Sequence, residues 1–419
     1  MQPTNPLSLR RNFSWTFLGN AVYAACQWGM LMVLAKLGSP EMVGQFTLGL
    51  AVSAPVFMFT NLQLRNIQAT DAKRQYLFGD YLALRLIATG VALLVILGIT
   101  LVSGYRREIL LIILLVALAK AFESISDVFY GFIQHHERMD KMAIALMIKG
   151  PLSLILLGLG VYLSGSVVWG VVGLATAWLA VLVGYEIKSS AMIFNYVSVA
   201  KSMAALQPRW HLQTLAKLAW LALPMGFVSM LVSLNTNIPR YLIEQHLGEG
   251  ELGIFASMAY LIVLGRTIIF ALGQSATPRL AKYYAAGNRK VFLKLLLKLM
   301  GIGALLGLIN VLIAYVAGEQ ILTLIYNHEF AKYSHIFLLL MIAAVFVYAD
   351  TFVNYALTAT RHFKIQVLLI LSVVCVTVLA CFWLIPSQGL VGAAFTIIMA
   401  ASTRFTISLV MTFYALSKI

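Results

Sequence analysis

Residues 167 to 183 read VVWGVVGLATAWLAVLV, an unbroken stretch without a charged side chain. About 20 apolar residues in a helix cross the hydrocarbon core of a bilayer, so this stretch predicts a transmembrane helix. Similar runs, with at most one charge, occur from Leu110 to Ala121 and from Pro151 to Leu163. The chain is 61% hydrophobic and 11% charged, with a mean hydropathy of +0.90. This composition excludes a soluble globular protein and favours a multi-spanning membrane protein.

Apolar runs of this length recur along the whole chain and predict an all-α polytopic membrane protein with about twelve transmembrane helices. The expected spans are 13–35, 43–63, 82–103, 109–133, 143–163, 167–187, 214–238, 252–274, 291–316, 335–359, 365–385 and 389–414. The longest polar connection runs from Lys188 to Gln213. We therefore expect an N-terminal six-helix lobe (1–190), a cytoplasmic linker (191–213) and a C-terminal six-helix lobe (214–419).

The basic residues predict the orientation of the chain. With the N-terminus inside, 22 of the 30 Lys and Arg residues fall on the inner side, and the outer loops hold four. This bias predicts that both termini are cytoplasmic. The net charge of +15 then reflects topology and contact with anionic membrane lipid, and no nucleic-acid partner is expected. The three cysteines fall inside spans, at spacings that suit neither a disulfide framework nor a metal site. No cofactor is expected.

Two short elements recur in the same order in the two halves. Leu37-Gly38, Glu41, Gly44 and Phe46 match Leu247-Gly248, Glu251, Gly253 and Phe255, and Asp127-x-Phe129 with Arg138-x-x-Lys141 matches Asp350-x-Phe352 with Arg361-x-x-Lys364. Six spans separate the copies, so both have the same orientation in the membrane. The pattern predicts two parallel repeats around a central cavity. The spacing grows from 210 to 223 residues, which places about 13 extra residues in the second half.

The first repeated element also carries a family resemblance. Residues 35 to 46 read AKLGSPEMVGQF, and the second half runs from Asn237-Ile238-Pro239-Arg240-Tyr241 to Leu247-Gly248 and Gly253-Ile254-Phe255. Together with twelve spans, this pattern resembles the oligosaccharide-lipid flippases of bacterial polysaccharide export. They form the polysaccharide transporter branch of the multidrug/oligosaccharidyl-lipid/polysaccharide exporter superfamily.

The resemblance implies an activity and a set of partners. The expected substrate is a polyprenyl-diphosphate-linked oligosaccharide of O-antigen type, moved from the inner to the outer leaflet of the bacterial inner membrane by alternating access. Membrane lipid, a coupling ion (H⁺ or Na⁺), the polysaccharide polymerase and the chain-length machinery are the partners that the resemblance suggests.

Charged residues inside the spans are candidates for function, since each costs about 2.5–3.5 kcal/mol to insert at mid-bilayer. Lys120, Glu123 and Asp127 lie at i, i+3 and i+7 on span four and share one helical face. One interpretation is an ion pair between Lys120 and Glu123 that stabilises one half. The other is ion coupling, with Asp127, Glu123 and the matching Asp350 as sites for a proton or cation.

Arg266 is the leading candidate for substrate binding. It lies in span eight, inside the otherwise nearly apolar stretch from Leu261 to Leu272. The guanidinium fork suits a diphosphate better than an ammonium group does. The resemblance adds that lipid II flippases use cavity arginines, including one on the corresponding span. The alternative is an ion pair of Arg266 with Asp350 or Glu123.

Other polar residues in the spans have a structural and a functional interpretation. Arg65 closes span two, as an interface anchor or as part of a basic mouth that Lys149 in span five would extend. Arg404 lies in the last span, where we expect a structural pair. The uncharged polar residues Asn20, Gln27, Asn235 and Asn237 either form hydrogen bonds with neighbouring helices or line a path for the sugar. The substrate-binding candidates are Arg266, Lys120, Arg65, Lys149, Asn20, Gln27 and Asn235.

Three classes of function fit a chain of this kind. A flippase predicts a cationic cavity, whereas a cation-coupled multidrug antiporter of the same fold predicts an acidic one, which Glu123, Asp127 and Asp350 would supply. A membrane enzyme such as a polymerase or ligase would need a large outer loop, and the outer loops here are short. A major-facilitator fold would need its charged loop motif between spans two and three, and the segment from Gln63 to Asp80 lacks it.

Overall fold

The computed structural model describes residues 9–71, 75–197, 207–360 and 363–417, and these are almost entirely helical. Lys73, Arg74, Lys201, Arg361 and Lys418, which contribute to the predicted topology and repeat, lie outside the described residues, as does the side chain of Lys364. The helices are α1 (Leu9–Leu37), α2 (Pro40–Thr60), α3 (Leu64–Thr70), α4 (Phe78–Val102), α5 (Arg107–His135), α6 (Met139–Ser164), α7 (Val167–Val181), α8 (Ile187–Val197), α9 (Leu212–Leu247), α10 (Glu249–Ala285), α11 (Arg289–Ile325), α12 (His328–Ala331), α13 (Ser334–Ala359) and α14 (Phe363–Ser417).

The prediction of twelve membrane-spanning helices is confirmed. Ten helical stretches of the described chain are long and apolar enough to cross a membrane. One of them, Val367–Ser417, contains the predicted spans 365–385 and 389–414, and α10 contains the predicted span 252–274. Helices α9, α10 and α11 have 36, 37 and 37 residues. At 1.5 Å per residue they exceed the roughly 30 Å hydrocarbon core, so their ends extend beyond it.

Helix α14 is a helical hairpin, which explains why two predicted spans fall in one stretch. Its backbone leaves the helical region at Gly389, with φ 60° and ψ −135°. Leu369 and Val373 on the first arm share an apolar cluster with Ala400 on the second. The two arms therefore pack against each other, and the reversal occurs where a glycine can take a positive φ without strain.

The chain divides into two compact units. The N-terminal unit comprises Met1–Gly38 and Gln45–Ser233, and the C-terminal unit comprises Ser39–Gly44 and Leu234–Ile419. Within the first, α6 packs on α1 and α7, and α5 packs on α4 and α7. Within the second, α13 packs on α10, α11 and α14. The repeated aspartates lie on helices that contact several others. Asp127 is on α5 in the first unit, and Asp350 is on α13 in the second.

The helical segment that begins with α7 continues beyond residue 187, the predicted end of span six. A π-helical turn, Leu182–Glu186, joins α7 to α8, which ends at Val197. The first part of the predicted linker 191–213 is therefore helical, because its apolar residues Ala191 and Ile193 are buried. A π turn holds one more residue than an α turn and is frequent at functional sites. Here it directs Glu186 into the interior, where the side chain is fully buried.

A strained break separates α2 from α3. Leu62 and Gln63 have φ values of 52° and 51°, which residues with a Cβ rarely adopt. Each such residue costs about 1–3 kcal/mol and needs support from its surroundings. Gln63 donates from Nε2 to Ser229 Oγ at 2.8 Å. The break turns Asn61 towards α4 and α5 and positions Arg65 on α3.

The extra residues predicted for the second half lie largely in α11. This helix has 37 residues, whereas α4, at the equivalent position in the first half, has 25. The longer helix carries a kink at Ala317, where φ is −129°.

The repeated Leu-Gly elements mark a close contact between two helix N-termini inside the C-terminal unit. A Cβ at Gly44 would overlap the carbonyl oxygen of Glu249, and a Cβ at Gly253 would overlap the carbonyl oxygen of Pro40. The matched glycines of the two copies thus make the same contact with each other's element. Glycine is required at both positions because the approaching atoms are backbone, which cannot rotate away.

We expect Gly253→Ala to destabilise the protein by about 1–3 kcal/mol, because the added methyl group overpacks a contact made by main-chain atoms. The melting temperature of the purified protein in detergent measures the loss. Gly90→Ala on α4 is the matched control, since a Cβ there meets no atom within 4 Å. Equal melting temperatures for the two variants would contradict the proposed role of the contact.

Candidate functional site

Among the described residues, the candidate charged side chains gather in two clusters, one in each unit. The first, called here the α5 cluster, comprises Arg65, Arg85, Lys120, Glu123, Asp127, Lys149 and Glu186. The second, called the arginine cavity, is a cavity of about 200 Å³ lined by residues of α9, α10, α13 and α14, among them Arg240, Arg266, Asp350 and Arg404.

Lys120 and Glu123 form the ion pair that their spacing predicts. Lys120 Nζ lies 2.7 Å from Glu123 Oε2, and the Tyr23 hydroxyl donates to Glu123 Oε1 at 3.1 Å. The ammonium group also lies 5.3 Å from the ring centre of Trp178. Both charges are therefore compensated within the N-terminal unit.

Asp127 has a partner on α3. Arg65 Nη1 lies 3.5 Å from Asp127 Oδ1, and Arg65 Nε donates to Gln134 Oε1 at 3.3 Å. Side chains Arg65 and Asp127 are each 31% exposed, so this pair stays within reach of water or an ion. Asp127 therefore also has a basic partner, because the break after α2 brings Arg65 to it.

Arg85 belongs to the α5 cluster. In the sequence it is one of the 22 basic residues counted on the inner side of the membrane. Its side chain is buried, and its Nη1 donates to Asn61 Oδ1 and, at 3.2 Å, to Ser124 Oγ. Ser124 Oγ in turn donates to Asn61 Oδ1 at 2.6 Å. Nothing local to α4 indicates Asn61 as its partner.

Lys149 is placed against Glu186, not in a cavity lining. The two side chains are 1% and 0% exposed, and Nζ lies 2.8 Å from Glu186 Oε1. Lys149 also donates to Ser126 Oγ at 3.0 Å, while the Tyr130 hydroxyl donates to Glu186 Oε1 at 2.5 Å. The described contacts of Lys149 are therefore structural, and its role as a substrate contact stays a prediction. The sequence offered no signal for Glu186, whose inward position depends on the π turn.

The two polar candidates on α1, Asn20 and Gln27, are not buried in the N-terminal unit. Asn20 is exposed and its amide donates to Thr16 O on the same helix at 2.8 Å, while Gln27 is half-buried. In the C-terminal unit, Asn235 does line the arginine cavity and accepts a hydrogen bond from Thr377 Oγ1 at 2.7 Å.

The repeated Arg-x-x-Lys element lies at a helix start in the described first copy. Arg138, just before α6, donates to both carboxylate oxygens of Asp140 at 2.9 and 2.7 Å. These hydrogen bonds raise the pKa of the Arg138 guanidinium, which stays charged at all relevant pH values. The element thus stabilises a helix end and takes no part in either cluster.

Asp350 pairs with Arg404 and leaves Arg266 without a carboxylate partner. Arg404 Nε lies 2.8 Å from Asp350 Oδ2. Arg266 makes no ion pair within the described part of the chain, and its guanidinium carbon lies 4.7 Å from the ring centre of Phe270. The alternative prediction that Arg266 pairs with Asp350 or Glu123 is therefore wrong. Arg404 does form the expected pair, but its arm of α14 lines the cavity and is not peripheral to it.

The arginine cavity combines an excess of positive charge with neutral hydrogen-bonding groups. Three arginines face one aspartate, and Arg240 Nη1 donates to Asn237 Oδ1 at 3.0 Å. Asn235, Thr236, Thr377 and Thr396 add an amide and hydroxyls to the lining. Such a cavity can hold an anion through guanidinium groups and a hydroxyl-rich ligand through the neutral groups.

Three-dimensional comparison places the fold among transporters of the MOP superfamily. An inward-facing multidrug resistance MATE family transporter aligns with a TM-score of 0.66 at 16% identity, covering 97% of this chain and 94% of that one. A MOP superfamily transporter from Pyrococcus furiosus, described by a reverse polarity of its binding pocket, aligns with a TM-score of 0.63 at 16% identity, covering 96% and 93%. The predicted fold class is confirmed.

Sequence comparison gives the family. The capsular polysaccharide biosynthesis protein CapF of Staphylococcus aureus is 29% identical over 401 residues, which cover 92% of this chain and 95% of the relative. The family described as polysaccharide biosynthesis protein matches residues 9–284, well over half of the chain. Because this match covers well over half of the chain, the chain belongs to the polysaccharide biosynthesis protein family.

Proposed function

We propose that the protein is a flippase that moves a polyprenyl-diphosphate-linked oligosaccharide from the inner to the outer leaflet for export of a surface polysaccharide. The observation that carries the proposal is the arginine cavity, in which three arginines face one aspartate and Arg266 has no anionic partner among the described residues. Guanidinium groups bind phosphate oxygens bidentately, so a half-buried arginine without an ion-pair partner among the described residues suits a diphosphate.

The neutral groups of the same cavity fit the sugar part of this substrate. Thr236, Thr377, Thr396 and Asn235 can exchange hydrogen bonds with sugar hydroxyls, and the apolar lining residues can cover the faces of sugar rings. The name of the Staphylococcus aureus relative, a capsular polysaccharide biosynthesis protein, supports a surface glycan as the end product. The O-antigen type of glycan remains our proposal for the class of substrate.

The cation-coupled multidrug antiporter is the second candidate, since MATE family transporters share the fold. A site for organic cations requires an excess of carboxylates, because a desolvated cation in a cationic cavity is strongly repelled. The sign of the charge in the arginine cavity therefore favours an anionic substrate. The solved transporter whose reverse pocket polarity is said to suggest a different function is a parallel case within the same superfamily.

Ion coupling by H⁺ or Na⁺ is part of the proposal, with Asp127, Glu123 and Asp350 as candidate sites. Each of the three carboxylates has a basic partner, which is Arg65, Lys120 or Arg404. A coupling ion would have to displace that partner. The Asp127–Arg65 pair is the longest of the three at 3.5 Å and is therefore the leading coupling site.

Reconstituted proteoliposomes test the function. We expect them to move a fluorescent polyprenyl-diphosphate-linked sugar across the bilayer faster than protein-free liposomes, and not to transport ethidium, an organic cation. Protein-dependent ethidium transport under an ion gradient, without movement of the lipid-linked sugar, would overturn the flippase assignment in favour of the antiporter.

A further inference from the structure

Three buried polar atoms without a hydrogen-bond partner in the described chain meet in the arginine cavity. They are Arg266 Nε, Arg404 Nε and Asp350 Oδ1. Arg404 Nε is close to Asp350 Oδ2, at 2.8 Å, but without the alignment of a hydrogen bond. Buried polar atoms are normally satisfied, so the Nε atoms of Arg266 and Arg404 keep donor capacity for a ligand, while Asp350 has Arg404 and the Ser408 hydroxyl beside it.

The two members of the pair differ in exposure. The Arg404 side chain is 27% exposed and the Asp350 side chain 7%, so the guanidinium stands in front of the carboxylate. A ligand in the cavity reaches Arg404 first. The ligand can contact Arg404 while Asp350 remains on the less exposed side of the pair.

Charge compensation explains why an acidic residue lies in an anion site. An uncompensated arginine in the membrane interior is costly, and removing one partner of a buried pair leaves the other charge exposed to that cost. Without Asp350, the empty cavity would hold three arginines, those at 240, 266 and 404, with no carboxylate among the described lining residues. Asp350 therefore compensates one arginine when no substrate is bound.

We propose that Asp350 is an internal counter-anion, which holds Arg404 in the empty cavity and yields it to the diphosphate of the substrate. This inference rests on the proposed function. The phosphates take both Arg266 and Arg404, and Asp350 recaptures Arg404 when the substrate leaves. Competition by Asp350 lowers the apparent affinity, since only the fraction of molecules with Arg404 released binds fully. The same competition favours release of the bound substrate.

Binding of farnesyl diphosphate to the purified full-length protein in nanodiscs tests the proposal. Asp350→Asn removes the competing anion and keeps the size of the side chain, so we expect about tenfold tighter binding. Arg404→Gln removes the contested arginine, and about tenfold weaker binding is expected. The double variant should bind like Arg404→Gln, because Asp350 acts through Arg404.

This non-additivity separates the counter-anion from simple repulsion. If Asp350 only repels the ligand through space, Asp350→Asn strengthens binding equally with Arg404 present or replaced, and the proposal is overturned. Unchanged or weaker binding by a folded Asp350→Asn variant overturns it as well. Asp350→Glu is the second variant, to be used if Asn unfolds the protein. It keeps the charge, and its longer side chain still reaches Arg404, so tighter binding by this variant would contradict the proposal.

The outcome is distinguishable from failure of the proposed function. Wild-type protein that does not bind farnesyl diphosphate contradicts both the diphosphate site and the counter-anion. Wild-type binding with an unaltered affinity in Asp350→Asn overturns the counter-anion alone and leaves the flippase assignment in place.

Discussion

Arg266→Ala is expected to slow flipping of a polyprenyl-diphosphate-linked sugar about a hundredfold, equivalent to nearly 3 kcal/mol. The side chain is half-buried with its Nε buried, has no carboxylate partner in the described structure and stacks on Phe270, so it is preorganised for an incoming anion. Arg266→Lys keeps the charge but loses the bidentate fork, and we expect a loss of about tenfold. Flipping in proteoliposomes, normalised to the amount of reconstituted protein, measures both.

Stability provides a check on this interpretation. Because Arg266 compensates no carboxylate in the described chain, its replacement should leave the melting temperature unchanged or raise it. Arg279→Ala on the same helix is the matched control, since Arg279 is exposed and its loss should leave the flipping rate near that of wild type. Full activity in both Arg266 variants would remove the diphosphate site from the arginine cavity.

Breaking the buried Lys149–Glu186 pair is expected to destabilise the protein by about 3–5 kcal/mol. Lys149→Met leaves Glu186 as an uncompensated buried charge, and Glu186→Gln does the same to Lys149. The double variant should recover most of the loss, because the two charges disappear together and the amide oxygen introduced by Glu186→Gln can still accept the hydrogen bond from Tyr130. Thermal unfolding of the purified protein, followed by intrinsic tryptophan fluorescence, measures the three variants.

The Lys120–Glu123 pair is the matched comparison for this experiment. Its side chains are 26% and 30% exposed, so water screens the pair, and single replacements should cost about 1 kcal/mol or less. If Lys149→Met and Lys120→Met melt at the same temperature, burial does not determine the cost, and Lys149 would return as a candidate for ligand binding.

Local patterns in the sequence predicted the membrane-spanning architecture accurately. Each predicted span lies within a helix or differs from it by a few residues, because hydropathy over about 20 residues determines whether a helix enters the bilayer. The turn of α14 at Gly389 was predicted by two apolar runs separated by a short break. The Lys120–Glu123 pair was predicted for the same reason, since i, i+3 neighbours meet on any helix.

The partners of distant charges were not predictable in this way. Asp350 had two candidate arginines, and the choice of Arg404 over Arg266 depends on how both arms of α14 pack on α13. The place of Glu186 beside Lys149 depends on a π turn, and that of Arg65 beside Asp127 depends on a strained break between α2 and α3. None of these features has a signature in composition or periodicity.

The sequence by itself thus determined the class of protein, the spans, the repeat and the isolated position of Arg266, because each of these depends on residues close together in the chain. The tertiary structure alone decided which carboxylate meets which basic residue. That choice left Arg266 without an ion-pair partner among the described residues of the cavity and Lys149 sealed against Glu186. The physical reason is that an ion pair forms over a few ångströms, and only the packing of separate helices brings distant residues within that range.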